Sequence, residues 1–300
     1  MVAFAHPPGS AITTSEQHLT YGRVDLRVAT GFGPRVTSFA LEGRNAFAEL
    51  GNLSVPHPDG RFYRLGGGHR LWVAPEVPQI TYEPDDSPVT IAATEGGHIV
   101  TQAAGPIAGI EKSLRFDFSG EAVRVRHTLT NRRGEPIRLA SWAITQLPIG
   151  GTAVLPLPDL PVDPEGLQPN AEVVLWPYSG VTDTPFELRE RLLLMDATRD
   201  EATKIGTSLD RGWLAYIRDG LVFVKRASSV AESEYLDRGA AAQCYCSADF
   251  VELETLGPVA TLQPDEATSH DETWQLFEVD PATDPVDLPS VLNLDGAAFL

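Results

Sequence analysis

Two short stretches of this 300-residue chain carry residues that could do chemistry. The first is Leu65-Gly66-Gly67-Gly68-His69-Arg70-Leu71-Trp72-Val73-Ala74-Pro75-Glu76. Three consecutive glycines remove every side chain just before a polar cluster begins, and glycine allows positive φ and close approach to the backbone. His69 can titrate near neutrality. Arg70 presents a rigid fork of donors. Trp72 offers a flat apolar face with one N–H, and Glu76 closes the run with a carboxylate. That mixture suits a polyhydroxylated ligand such as a sugar: a face to stack on, and donors and acceptors for hydroxyls. A plainer reading is a glycine turn whose Arg70 and Glu76 pair beneath a buried Trp72, because structural ion pairs also produce such clusters.

The second stretch is Phe250-Val251-Glu252-Leu253-Glu254-Thr255-Leu256-Gly257-Pro258. The two-residue period of a strand puts Glu252 and Glu254 on one face and Val251, Leu253 and Thr255 on the other. Neighbouring carboxylates repel and can split their pKa values, leaving one ionised as a base. The competing reading is an edge strand with two solvated glutamates. Weaker candidates are Trp176 and Tyr178, as a stacking platform or a hydrophobic plug, and Lys204 and Lys225, as hydroxyl or anion binders or as snorkelling surface lysines. His127 continues the apolar face of Val123 and Val125 and reads as a structural histidine; His270 and Trp274 sit near the start of the last strand. No Ser/His/Asp order, Walker loop or dinucleotide fingerprint stands out, and the three glycines are not followed by a helix. No cofactor and no metal are expected.

The elements that must position these residues are strands. Tyr21–Val28 alternates and pairs with Val36–Leu41. Ile110–Phe118 and Ala122–Thr130 flank a Ser119-Gly120-Glu121 turn, and Ile137–Leu147 continues the meander. Trp213–Ile217 and Leu221–Lys225 are joined across Asp219-Gly220, a strong hairpin signal. Cys244–Leu256 reads as one long strand and Ser269–Val279 as another. Phe186–Ala197 reads as a helix, or Asp183–Pro185 as a loop leading to a strand. Leu155–Tyr178 holds six prolines, so it cannot be a central strand throughout; it reads as a site wall or as a surface connection over an edge. The tail Asp280–Leu300 ends apolar and packs back on the domain or on a second subunit. Many antiparallel strands with Gly and Pro turns point to a single all-β sandwich over residues 1–300, with its core at about 20–280.

Composition narrows the partners. With 23 basic against 41 acidic residues the net charge is −18, the reverse of a nucleic-acid footprint, and an anionic membrane is disfavoured for the same reason. No apolar run reaches the length of a membrane span, and the N-terminus lacks the basic start of a signal peptide. A cytoplasmic protein is expected. Cys244 and Cys246, two apart on a strand, share a face; a bridge over that spacing would be strained, so they read as free thiols.

Taken in order, GGGHRLWVAPE, TLTNRRGEPIRLASWAITQLPIGG, VLWPY, KIGTSLDRGWLAYIRDGLVFVK, FVELETLGP and SHDETWQLFEV resemble segments of the galactose mutarotase-like superfamily, the aldose 1-epimerases and their relatives. The first and fifth are the specific ones. The resemblance implies an antiparallel β-supersandwich with a shallow groove for a small-molecule carbohydrate. It implies Glu254 as the base that takes the anomeric hydroxyl proton, and matches His69 to the histidine after the glycines. It departs at Trp142, which stands where the epimerases carry a second histidine that protonates the ring oxygen. Ring opening needs a base and an acid together, and an indole N–H is no acid. Two functions stay open: an epimerase-like isomerase with Glu254 and His69 as catalytic residues, or a sugar-binding protein that kept the groove and lost the chemistry. In either case Arg70, Trp72, Glu76, Trp176, Tyr178, Lys204 and Glu252 are the expected substrate contacts.

Overall fold

The computed structural model describes residues 4–6 and 15–296. Its helices are single turns, Pro78–Thr81 and Leu288–Val291, besides two short 3-10 turns. Everything else regular is strand, in two large antiparallel sheets and one two-stranded pair, Ser54–Pro56 with Phe62–Arg64. The first sheet runs in the order Glu16–Tyr21, Val24–Ala29, Arg35–Leu41, Gly68–Ala74, Ile137–Leu147, Val251–Leu256, Ala242–Cys246, Thr203–Thr207 and Val174–Leu175. The second has Leu221–Ala227, Ala267–Glu278, Ala122–Asn131 and Ile110–Ser119 at its centre. The all-β expectation holds.

The alternating apolar residues of both sheets meet in one inter-sheet core. Val36, Leu71, Val73, Leu139, Val251 and Leu253 come from the first sheet; Leu114, Phe116, Val123, Val125 and Phe223 come from the second. Phe47 wedges between them, edge-on to Phe223 at 5.4 Å and to Trp274 at 5.7 Å between ring centroids. Such pairs favour edge-to-face geometry because the ring edge is positive and its face negative. The outer face of the second sheet is covered by the tail. Leu288 and Leu294 are fully buried with Trp213, Val222 and Val224, and Asp295 accepts from the Trp213 indole N–H at 2.8 Å. Each buried leucine contributes about 1.5–3 kcal/mol, which makes the tail part of the fold. Its last four residues, with the apolar Phe299 and Leu300, lie outside the described set.

Several expected elements hold to within a residue or two: Ile137–Leu147 as written, Arg35–Leu41, Ala122–Asn131, and the hairpin over Asp219-Gly220, whose two turn residues have φ of 52° and 74°. Three differ. Tyr21–Val28 breaks at Gly22, where φ is 59°, into two strands that pair with each other. Cys244–Leu256 is not one strand but a hairpin, Ala242–Cys246 paired with Val251–Leu256. Phe186–Ala197 is strand and not helix, but two strands in a hairpin rather than one, turning at Glu190-Arg191, both at positive φ of 47° and 61°. Cys244 and Cys246 are buried free thiols on the core face.

Two of the three glycines, Gly67 and Gly68, are explained by backbone crowding rather than by a ligand. All three have φ between 66° and 79°. A Cβ at Gly67 would sit 1.9 Å from the Ala48 carbonyl oxygen, and one at Gly68 1.9 Å from that of Val36. The glycines let the chain enter strand Gly68–Ala74 pressed against its neighbours.

Candidate functional site

Three adjacent strands of the first sheet build the floor of a groove on its outer face. Their register sets Arg70 and Glu254 on either side of Ile144, Trp72 opposite Trp142, and Gln146 opposite Glu252. Residues paired across a sheet share a face, so Arg70, Trp72, Trp142, Gln146, Glu252 and Glu254 all point outward. Walls rise on three sides. Glu76 and Tyr82 come from the chain just after strand Gly68–Ala74, Trp176 and Tyr178 from the end of the proline-rich segment, and Phe4 from the N-terminal segment. The cavity between them holds about 280 Å³, at the small end of ligand pockets.

The floor is wired by two ion pairs. Arg70 Nη2 donates to Glu252 Oε1 at 2.7 Å, where Gln146 Nε2 also donates at 3.0 Å, and the Arg70 guanidinium lies 4.2 Å from the Trp72 ring. Lys204 Nζ donates to Glu254 Oε2 at 2.7 Å, and the Trp142 indole N–H donates to the same oxygen at 2.7 Å. The Lys204 ammonium sits 4.7 Å from both the Trp142 and the Trp176 rings, a cation between two π faces. Glu254 itself is wholly buried beneath these groups, and its Oε1 has no hydrogen-bond partner. Burial pushes its pKa up, Lys204 opposes that, and the neighbouring Glu252 adds to it. Burial likewise pushes up the hydroxyls of Tyr82, Tyr178 and Tyr245, which stay protonated; the Tyr82 O–H donates a hydrogen bond to Glu76.

All seven expected substrate contacts therefore border one cavity. Glu254 lies under its floor. His69 does not belong to it. Neighbours in a strand point to opposite faces, so with Arg70 in the groove His69 faces the inter-sheet core, and the expectation that the two share a groove is corrected. There His69 Nε2 lies 2.7 Å from His127 Nε2, and its Nδ1 lies 2.9 Å from Thr145 Oγ1. His127 Nδ1 reaches the His270 carbonyl oxygen at 2.9 Å. A carbonyl only accepts, so His127 Nδ1 carries the proton, its Nε2 accepts, and His69 Nε2–H is the donor. His270 Nε2 donates to Thr255 Oγ1 at 2.7 Å; that hydroxyl passes its own proton to Glu272, which also accepts from Trp274 Nε1 at 2.7 Å. Lys225 pairs with Glu272 at 3.1 Å and donates to the carbonyls of Ala143 and Leu253. The ligand-type atoms of His69, His127 and Glu272 lie within 4.8 Å of one another. Each already has a hydrogen-bond partner in this array, so the trio reads as a complete hydrogen-bonded array rather than a metal centre. Lys225, read from sequence as a snorkelling surface residue, is buried in it.

Burial holds all three histidines below their usual range, His270 to about 4. A neutral buried ring binds its proton less readily than the same ring in the unfolded chain, so stability should fall as pH drops below about 6.5. His270 alone should contribute a loss of about 3 kcal/mol between about pH 6.5 and 4. Urea midpoints taken from pH 7 to 4 test this; a flat profile would mean the rings charge freely.

Sequence reasoning missed Tyr82, Tyr245, Gln146 and Phe4 as lining or floor residues. Gln146 was recoverable, since it shares the outward period of Trp142 and Ile144. Phe4 and Tyr82 arrive from loops and carry no periodic signal.

Comparison with known proteins adds the fold. No protein-family model and no curated protein matches the chain. Solved structures do. The Slr1438 protein from Synechocystis sp. PCC 6803 matches at a TM-score of 0.59 and 12% identity, over 92% of this chain and 100% of that one. A galactose mutarotase-like protein from Lactobacillus casei matches at 0.56 and 9%, over 88% and 100%. The fold is galactose mutarotase-like. A GalM/aldose epimerase homologue from C. elegans matches at 0.50 and 13%, over 89% and 100%. At these identities the likeness is one of fold. Within this mutarotase-like sandwich the groove occupies the outer face of the larger sheet. Among the described residues no helix is long and apolar enough to cross a membrane.

Proposed function

We propose that the protein binds a carbohydrate in this groove. The observation that carries the reading is the cavity itself: aromatic rings of Trp72, Trp142, Trp176, Tyr82 and Tyr178 around a floor of paired charges. Sugar rings present apolar C–H faces and a rim of hydroxyls. Indoles serve the faces, and Arg70, Glu252, Lys204 and protonated tyrosines serve the rim. The fold likeness to mutarotase-like proteins supports the ligand class.

Binding without ring opening is the better-supported form. The carboxylate matched to the epimerase base, Glu254, is buried under Trp142 and Lys204, and one of its oxygens accepts from both. A general base must reach the proton it removes. No histidine borders the cavity among the described residues. One observation favours the epimerase reading. Glu254 Oε1 is unpartnered and its pKa is raised, so displacement of Lys204 by a substrate would bare a poised base.

Saturation-transfer NMR and calorimetry on free aldoses, with exchange NMR for anomer interconversion, separate the two. Binding without rate enhancement is expected, and Trp176→Ala should weaken it by about tenfold, from one lost stacking face. Wild-type turnover abolished by Glu254→Gln with binding retained would establish the isomerase instead. No binding to any sugar would remove both.

A further inference from the structure

A second cavity, of about 310 Å³, opens where the strands Glu16–Tyr21, Val24–Ala29 and Arg35–Leu41 meet the loop before the three glycines. Arg64 and Gly66 border it, while Leu65 between them borders the groove. The two cavities therefore lie on either side of one chain segment. Resting on the carbohydrate reading above, we propose that this second cavity is a further sugar subsite, so that the ligand is an oligosaccharide spanning the Arg64–Gly66 segment.

The lining has the composition a neutral sugar needs. The Phe32 ring lies beside Gly66, whose absent side chain leaves the ring edge open: a Cβ there would stand 3.6 Å from it. Ser38 borders the cavity, with its hydroxyl buried and unpartnered. Arg27 Nε stands 3.6 Å from Asp25 Oδ1. The side chains of Arg64 and Glu49 form no ion pair or hydrogen bond among the described residues. Glu16 takes one bond from Thr37 Oγ1 at 2.6 Å and stands 4.0 Å from Arg27. Two guanidinium groups against two carboxylates leave no net charge. A phosphate or a uronate would meet Glu16 and Glu49, whereas hydroxyls, which both donate and accept, can use both signs. The groove beyond Leu65 holds two ion pairs and the further carboxylate of Glu76, so neither end favours an anionic sugar.

The test compares glucose, galactose and mannose with their α- and β-1,4-linked dimers and trimers by calorimetry. The wild type is set beside Arg64→Met with Glu49→Gln, two surface changes outside the groove, and beside Trp176→Ala inside it. In the wild type one linked series should bind at least about tenfold more tightly than its monosaccharide, the worth of two or so added hydrogen bonds. The Arg64→Met, Glu49→Gln variant should lose that increment and keep monosaccharide affinity within about twofold. Trp176→Ala should weaken both. If monomers and oligomers bind alike, or the increment survives the double change, the second cavity is no subsite and the groove reading stands. If Trp176→Ala has no effect and no sugar binds, the groove reading fails and takes the subsite with it.

Discussion

Lys204→Met should destabilise the protein by about 3–5 kcal/mol, the usual consequence of removing one partner from a buried ion pair. Glu254 is wholly buried, Lys204 is 5% exposed, and without the ammonium the carboxylate keeps only the Trp142 indole N–H. Methionine fills most of the space between Trp142 and Trp176, so the loss reports the charge rather than a cavity. The pH dependence identifies the cause. Glu254 is already pushed up by burial, and losing Lys204 pushes it further. A carboxyl whose folded pKa is raised favours the folded state at low pH, so the deficit of the variant should be small near pH 4 and grow as pH rises through the folded value. Denaturant midpoints at pH 4, 6 and 8 give the profile. Adding Glu254→Leu should restore most of the loss, since well-packed apolar replacements of buried pairs are often neutral. A deficit under about 1 kcal/mol at pH 8 would mean the pair is solvated.

Gly68→Ala should cost more than about 3 kcal/mol, because two penalties act together: left-handed strain in a non-glycine residue and overpacking against a fixed group. The backbone is at φ 66° and the added methyl would stand 1.9 Å from the Val36 carbonyl oxygen, which is itself held in the sheet. Gly66→Ala is the internal control. Its φ is the same, yet the nearest atoms to its added methyl are side-chain atoms of Arg35 and Phe32 at 3.6 Å. It should show the strain alone, about 1 kcal/mol. Equal losses at the two positions in thermal or urea unfolding would show that the strand entrance relaxes and that crowding there is not decisive.

Most of the fold was legible because period-two alternation survives wherever one face is buried, as in Ala122–Asn131 and Ile110–Ser119. It failed at Gly22, where apolar residues alternate on across the turn, and at two turns that lack glycine and proline. Ser247-Ala248-Asp249 joins two strands of the first sheet without either residue, so the hairpin read as one strand. Glu190-Arg191 turns at positive φ with long side chains, which no propensity would suggest. In the site, Glu252 and Glu254 were correctly placed on one face. The same rule separates His69 from Arg70, and spacing along the chain was read there as proximity in space. The partners of Glu254 were beyond sequence. Lys204 is 50 residues away and Trp142 is 112 away, and only the strand order makes them neighbours.

The strands beneath the groove are read from both sides. Arg70 faces the groove and His69 the interior; Glu254 lies under the groove and Thr255 faces the buried array. A change to the floor thus disturbs a strand whose alternate side chains hold the two sheets together. The walls carry no such double duty. Trp176, Tyr178 and Tyr82 stand on short connections outside the inter-sheet core. Drift in ligand preference among descendants of this chain should therefore accumulate in the walls, while the floor is inherited almost unaltered. A library aimed at new specificity has its room there, at the rim.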